Sequence, residues 1–422
     1  LQDIAETIRE FASEEQKAKY LPKFASGEVT GAMILTEPDA GSDLQAVRLK
    51  AVPQPDGAWK LYGVKRFITN GCGDVSLVLA RTEDGSTDGR GLSMLLCEKC
   101  PELVVRRIEN KLGIHGSPTC ELQFNGVPAE LVGQRRLGLI RYVMSLMNGA
   151  RVAIAAQSVG IAQAAYEEAL KYARERTQFK KRIIEFPQVY DMLARMKSAL
   201  LAARAITYEA SRLVDLRRAY ERRLAQAPGE EIRAKLKEIS GFAGVLTPIA
   251  KAYASEMCNQ VAYDAIQIHG GAGFMRDFNV ERLARDARIT SIYEGTTQLQ
   301  VIGALPGVTA GTLGRFLDTL AAGPIPANLS ELAALCGEAR AHLARALTHL
   351  KAAEDKTYLD YMARPLVDLA SEALAAHLFL RQAARDAGRA LQAEKFIRDA
   401  LPRIRMRTEV VTSGDRDRKS VV

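Results

Sequence analysis

The run Ile292-Tyr293-Glu294-Gly295-Thr296-Thr297-Gln298 sets one carboxylate between an aromatic ring and a glycine-threonine turn, just beyond a helical segment. A carboxylate so placed suits a base that removes a proton next to a carbonyl. That chemistry needs a carboxyl whose pKa is raised by a poorly hydrated site, and the apolar flank of Ile292 and Tyr293 would raise it. An ordinary helix-to-turn glutamate has the same local sequence, so the run acquires meaning only beside other segments.

Three such segments are present. Thr36-Glu37-Pro38-Asp39-Ala40-Gly41-Ser42-Asp43 packs proline, small residues and short hydrogen-bonding side chains into one turn, where backbone N–H groups can face an anion or a ring oxygen. Phe67-Ile68-Thr69-Asn70-Gly71 ends a strand with an aromatic wall, a hydroxyl and an Asn-Gly turn. Gln267-Ile268-His269-Gly270-Gly271-Ala272-Gly273 supplies a second glycine-rich approach after an Ala-rich helical stretch. Taken singly, each reads as a turn.

In order and spacing the four segments resemble the acyl-CoA dehydrogenase flavoprotein family, from about Ser13 to Ala304. The resemblance implies FAD as cofactor and Glu294 as the base that takes the alpha proton while a hydride leaves the beta carbon for the flavin. It implies that Leu35, Thr36, Gly41, Ser42, Phe67, Ile68 and Thr69 border the flavin, and that Thr296 and Gln298 hold FAD. Arg176, Gln178 and Phe179 would contact FAD across a subunit interface, and Gln267, Gly270 and Gly271 would meet the adenylate part of FAD bound by a neighbouring subunit. Ser42, Asn148, Arg151, Tyr293 and Gly295 would contact acyl-CoA. Two positions depart from the pattern: Phe67 stands where many relatives carry tryptophan, and Asn148 where an acidic residue usually precedes the arginine by three positions. The same resemblance implies an electron-transfer flavoprotein as partner and a homodimer or homotetramer. A C-terminal appendix, a charged insertion and Phe186-Pro187-Gln188-Val189 look like the long subgroup that includes the 3-methylthiopropanoyl-CoA dehydrogenases. An acyl-CoA oxidase is the alternative within enzymes. The DNA-alkylation-response flavoproteins share the scaffold but tend to carry tryptophan and Gly-Ser-Gly around the glutamate, where this chain has Tyr293 and Gly295-Thr296-Thr297.

Composition is compatible with that expectation. The chain has 422 residues, 47% hydrophobic and 26% charged, enough for more than one core and unlike a disordered or fibrous sequence. Its net charge of +8 is spread among interleaved acids, which argues against a nucleic-acid partner and suits a cavity for the phosphates of CoA. No uninterrupted apolar segment is long enough to span a bilayer, and Leu1-Gln2-Asp3-Ile4 lacks the basic start of a signal peptide, so the sequence reads as cytoplasmic. The six cysteines are scattered and read as reduced thiols. Cys97-Glu98-Lys99-Cys100 is a lone CxxC after a strand-like run, with no second pair or histidine cluster at ligand spacing, so no metal is expected.

The elements that must position these residues read as an α+β chain. Residues 1–30 predict the end of a helical domain whose larger part precedes the sequence. Residues 31–140 predict a middle β-domain as flavin platform, with strand-like runs at 76–80 and 120–124 between turns. Residues 141–306 predict a helical bundle carrying Glu294, its first helix showing an apolar stripe of Val152, Ala155, Ala156, Val159, Ala162, Tyr166, Ala169 and Ala173. Within it, 213–241 reads as a charged extension of a helical hairpin. Residues 307–416 predict a further helical domain, with one helix capped near Asn328-Leu329-Ser330 and another over about Pro365 to Ala387. Residues 417–422 are what a common sequencing-adapter string would encode, and predict a non-native tail.

Overall fold

The computed structural model describes residues 2–415, apart from the side chains of Gln2, Asp3 and Asn148. The suspected tail at 417–422 lies outside the described residues. The chain is α+β and divides into two compact units, 1–150 and 151–422.

The first unit opens with helices α1 (Gln2–Phe11) and α2 (Glu14–Ser26). Ser13 and Gln16 form a reciprocal cap at the start of α2, and Gly27 ends it in the left-handed conformation. Seven strands follow: β1 (Gly31–Ile34), β2 (Lys50–Pro53), β3 (Trp59–Thr69), β4 (Val75–Arg81), β5 (Leu92–Glu98), β6 (Leu103–Ile108) and β7 (Thr119–Leu131). They pair in the order β1-β4-β2-β3-β7-β5, and β5 returns to β4, so the central strands close on themselves. The run at 75–81 shows why closure suits this sequence. Leu77 and Leu79 face one core with Ile8, Tyr20, Phe24 and Met94, while Val78 and Ala80 face the other with Leu61, Leu95 and Phe124. A strand buried on both faces is apolar along most of its length, with Ser76 the buried polar exception here, and burying each leucine contributes roughly 1.5–3 kcal/mol.

The boundary between units falls inside α3 (Met144–Glu175), which is preceded by one π-helical turn at Gly138–Val143. A short hairpin, β8 (Thr177–Gln178) and β9 (Lys181–Arg182), leads to the long helices α4 (Pro187–Gln226) and α5 (Glu230–His269). These two form an antiparallel pair whose connecting end is the charged 213–241 segment. Helices α6 (Asn279–Arg288), α7 (Thr297–Thr309) and α8 (Thr312–Ala321) follow, then α9 (Ser330–Ala353), α10 (Lys356–Arg385) and α11 (Ala390–Val411). Buried side chains from α3 through α11 form one continuous core, with α10 packed on α4, α7 and α8.

Three sequence expectations shift. Ala156 is exposed, and Ala165 joins Ala162 and Ala169 in the buried stripe of α3. Alanines occupy several faces of this helix, so apolar spacing alone cannot choose among them. Helix α9 starts without a side-chain cap, its first turn being continued from a 3₁₀ turn at Ala327–Leu329. Helix α10 begins nine residues before Pro365, where the Asp355 carboxylate accepts the Tyr358 N–H at 3.0 Å. Proline's φ fits a helix, and the burial of Met362, Leu366 and Leu369 offsets the bond it cannot make.

Candidate active site

In the second unit, the 3₁₀ turn Ile289–Ser291 leads out of α6 into Ile292 and Tyr293. Glu294 and Gly295 then take left-handed φ angles of 53° and 87°, and Thr296 caps α7 by accepting the Leu299 N–H at 3.3 Å. Left-handed backbone at a glutamate costs about 1–2 kcal/mol. Side chains hold it there: Lys251 Nζ donates to the Gly295 carbonyl at 2.7 Å, and Gln300 Nε2 donates to the carbonyls of both Glu294 and Gly295 at 3.1 Å. Three such bonds, each worth roughly 0.5–1.5 kcal/mol net, offset the strain. A Cβ at Gly295 would stand 2.6 Å from Gln300 Nε2 on a backbone that L-residues rarely adopt. Gly295→Ala is therefore expected to destabilise the second unit by roughly 2 kcal/mol and to displace Glu294. Thermal unfolding by far-UV circular dichroism checks this, and an unchanged transition would contradict it.

The surroundings of the turn are charged, and one of the charges is fully buried. Lys251, fully buried on α5, has its pKa pushed down to about 8 by burial, against the opposing pull of Glu294 and Glu256. Burial also lowers the Arg151 guanidinium from its ordinary value, while the charge of Glu294 raises it. Arg151 and Lys251 are thus both within electrostatic reach of Glu294. The Tyr293 hydroxyl, pushed up to about 12 by burial, donates to Gln157 of α3. The Thr297 hydroxyl donates to Glu256 at 2.6 Å, and Arg364 of α10 approaches the same carboxylate at 3.8 Å. Together, Arg151, Tyr293, Glu294, Gly295 and Thr296 form one group, with Gln298 exposed on the first turn of α7.

A second group lies at the far end of α5. Tyr172 of α3 stacks on His269 at 4.3 Å, which brings the exposed Arg176, Gln178 and Phe179 hairpin beside the exposed Gln267, Gly270 and Gly271. Phe179 is 87% exposed with φ 51°, and nothing stands within 4 Å of a Cβ placed at Gly270 or Gly271. Sixteen residues of helix separate Lys251 from Gln267, about 24 Å at 1.5 Å per residue.

In the first unit, the register of β3 against β7 shifts between Lys65 and Ile68, a bulge that leaves Phe67 at φ 59° and 53% exposed beside an exposed Thr69. Ile68 points into the core, so only its backbone is presented. The Thr36–Ser42 turn is fastened to the same strand. Lys65 Nζ donates to the Leu35 carbonyl at 2.7 Å and pairs with Glu37 at 3.0 Å, while Arg66 N–H donates to the Thr36 carbonyl at 3.0 Å. Glu37 accepts in turn from the N–H groups of Arg48 and Leu49 at 2.8 and 2.9 Å. This leaves Gly41 and Ser42 exposed at the tip of a rigid turn.

Sequence reading missed Lys65, Lys251, Glu256, Gln157 and Gln300. Two signals were available. Lys65 falls on the inward parity of β3 set by Trp59 and Leu61, and Lys251 falls in line with Thr247, Pro248, Ala254, Ser255 and Cys258 at helical spacing.

Three family descriptions match the chain: the acyl-CoA dehydrogenase middle domain over residues 32–127, the acyl-CoA dehydrogenase C-terminal domain over 140–303, and a further acyl-CoA dehydrogenase C-terminal region over 309–413. Caffeyl-CoA reductase–Etf complex subunit CarC of Acetobacterium woodii is 36% identical over 68% of this chain and 71% of that protein. The chain belongs to the acyl-CoA dehydrogenase family. Members of this family are oxidoreductases acting on CH–CH donors. The 3-methylmercaptopropionyl-CoA dehydrogenase of Ruegeria pomeroyi is 38% identical over 81% of this chain, which spans 62% of that protein's length. A crystal structure of an acyl-CoA dehydrogenase complexed with FAD from Bacillus anthracis superposes with a TM-score of 0.82, covering 98% of this chain and 74% of that one at 26% identity. Among the described residues, no helix is long and apolar enough to cross a membrane and no group of His, Cys, Asp and Glu is placed to hold a metal ion.

Proposed function

We propose that this chain is an FAD-dependent acyl-CoA dehydrogenase that converts an acyl-CoA thioester to its 2-enoyl-CoA, with Glu294 as base. The observation that carries the reading is the catalytic turn: a carboxylate in a left-handed conformation, held by Lys251 and Gln300, within reach of the Arg151 charge. Such cost is tolerated where geometry matters for function. Glu294 takes the alpha proton onto its carboxylate beside the largely buried Tyr293, whereas Ile292 is exposed to solvent. Arg151, itself partly buried, compensates the negative charge of Glu294.

The residues present fit FAD. The bulged end of β3 offers an exposed ring at Phe67 and a hydroxyl at Thr69, the Leu35–Ser42 turn offers exposed Gly41 and Ser42, and Thr296 and Gln298 sit at the start of α7. A bound FAD would supply the acceptor for the hydride that leaves the beta carbon. Gln267 lies about 24 Å along α5 from Lys251, with Gly270 and Gly271 just beyond the helix end and Arg176, Gln178 and Phe179 on the hairpin after α3, which suits contact with FAD of a second subunit in a homodimer or homotetramer. Ser42 and Gly295 complete the acyl-CoA contacts; the Asn148 side chain, expected to join them, lies outside the described ones. Domain roles follow the same division: 31–140 as flavin platform, 141–306 as catalytic bundle, 307–416 as helical appendix. The Ruegeria relative makes 3-methylthiopropanoyl-CoA the substrate to test first, and the Acetobacterium relative makes an electron-transfer flavoprotein the acceptor to test first.

Anaerobic addition of an acyl-CoA panel to the FAD-loaded chain tests this reading. At least one member should bleach the flavin absorbance within seconds, with the reduced enzyme reoxidised by electron-transfer flavoprotein faster than by air. Absence of bleaching with every member would overturn it, and faster reoxidation by oxygen would make the enzyme an oxidase.

A further inference from the structure

We propose that Lys251 is the positioning residue of the catalytic turn: its ammonium fixes the Gly295 carbonyl and sets a positive charge within electrostatic reach of the Glu294 carboxylate. This rests on the reading of Glu294 as base. Lys251 is a cation with no exposure to solvent, on a helix turn otherwise lined by Thr247, Pro248, Ala254 and Ser255. A buried lysine is costly unless its protons are used, and the observed use is the 2.7 Å bond to the carbonyl of the residue after Glu294. That bond fixes the peptide at the point where the chain reverses, so it dictates where the carboxylate of Glu294 stands.

Four groups share the field. From α3 comes Arg151, from α5 itself Glu256, from the catalytic turn Glu294, and the charges of all three act on Lys251. Glu256 is already engaged by the Thr297 hydroxyl at 2.6 Å and by Arg364 at 3.8 Å. Arg364 lies on α10, so the appendix adds a cation that offsets the negative charge of Glu256 beside Lys251. Gln300 duplicates the hydrogen bonding to the turn but carries no charge. Lys251 therefore has two separable roles, a donor role shared with Gln300 and an electrostatic role shared with Arg151.

The test compares the full chain with Lys251→Met, which loses donor and charge, and Lys251→Gln, which keeps a donor. Three quantities are read: FAD content, the pH dependence of flavin bleaching at saturating acyl-CoA, and exchange of the acyl alpha hydrogen in deuterated water by mass spectrometry of the recovered thioester. Exchange reads the base without the redox step. Expected are near-parental FAD content, exchange and bleaching slowed by at least about tenfold in Lys251→Met, and an acidic limb moved to higher pH in both variants, since losing a nearby cation raises a carboxyl pKa. Acyl-CoA affinity should change less than the rate does. Parental exchange with a parental acidic limb in Lys251→Gln would overturn the inference, and that variant decides should Lys251→Met not fold. Glu294→Gln run in parallel separates the two readings. If it too exchanges at the parental rate, the base assignment has failed; if it alone stops exchange, only the role of Lys251 has failed.

Discussion

Glu294→Gln should bind FAD and acyl-CoA as the parent does while its flavin bleaches at least about a hundredfold more slowly, the loss expected when a general base is removed. The amide keeps the length and shape of the side chain and leaves the turn's backbone bonds to Lys251 and Gln300 in place, because both go to main-chain carbonyls. Structure and binding should thus persist without chemistry. Stopped-flow absorbance at saturating acyl-CoA gives the rate, and equilibrium titration with a non-oxidisable thioester gives the affinity. A parental bleaching rate would assign the base elsewhere. Loss of FAD, by contrast, would mark the carboxylate as structural, with Arg151 losing its compensating charge.

Residues that could be read from the sequence are those whose role is local. The Glu294-Gly295 step, the Asn70-Gly71 turn after β3, and Gly270-Gly271 after α5 are punctuation, and punctuation is decided by φ preferences within a few residues. The strand-like runs at 76–80 and 120–124 were equally legible from their composition, but the continuation of β7 through Gly126 and Pro128 to Leu131 was not. What was not legible depends on burial by distant elements. Lys65, Lys251 and Glu256 resemble any solvated charge in a chain rich in them, and only the partners brought by tertiary structure, Glu37, Gly295 and Thr297, distinguish them. The start of α10 was misplaced for a related reason: Pro365 suggests a boundary locally, and a core shared with α4, α7 and α8 overrides it. The FAD contacts proposed for Arg176 and Gln267 come from resemblance alone, since neither periodicity nor spacing could have suggested them.

Lys65→Met should destabilise the sheet unit by about 3 kcal/mol and loosen the turn that carries Thr36 and Ser42. The mutation leaves the Glu37 carboxylate buried without its cation and the Leu35 carbonyl without its donor, and breaking a buried pair from one side typically costs about 3–5 kcal/mol. The lower end applies because Glu37 retains the N–H groups of Arg48 and Leu49. Trp59 is the single tryptophan of the chain and is buried in the sheet core, so urea denaturation followed by its fluorescence reports on this unit alone. A pH signature accompanies the loss. Burial lowers the folded pKa of Lys65 from 10.5 to about 8, so above pH 8 the folded chain has given up a proton that the unfolded chain still holds, and stability rises with pH. The rise is confined below about pH 9, because the buried Cys97 thiol is pushed up from 9.0 to about 12 and its ionisation in the unfolded chain then acts in the opposite direction. The parent should therefore gain stability between pH 8 and 9, and Lys65→Met should not. A variant that unfolds at the parental urea midpoint, or that keeps the same gain with pH, would show that this cation contributes neither to the fold of the sheet nor to the rigidity of its turn.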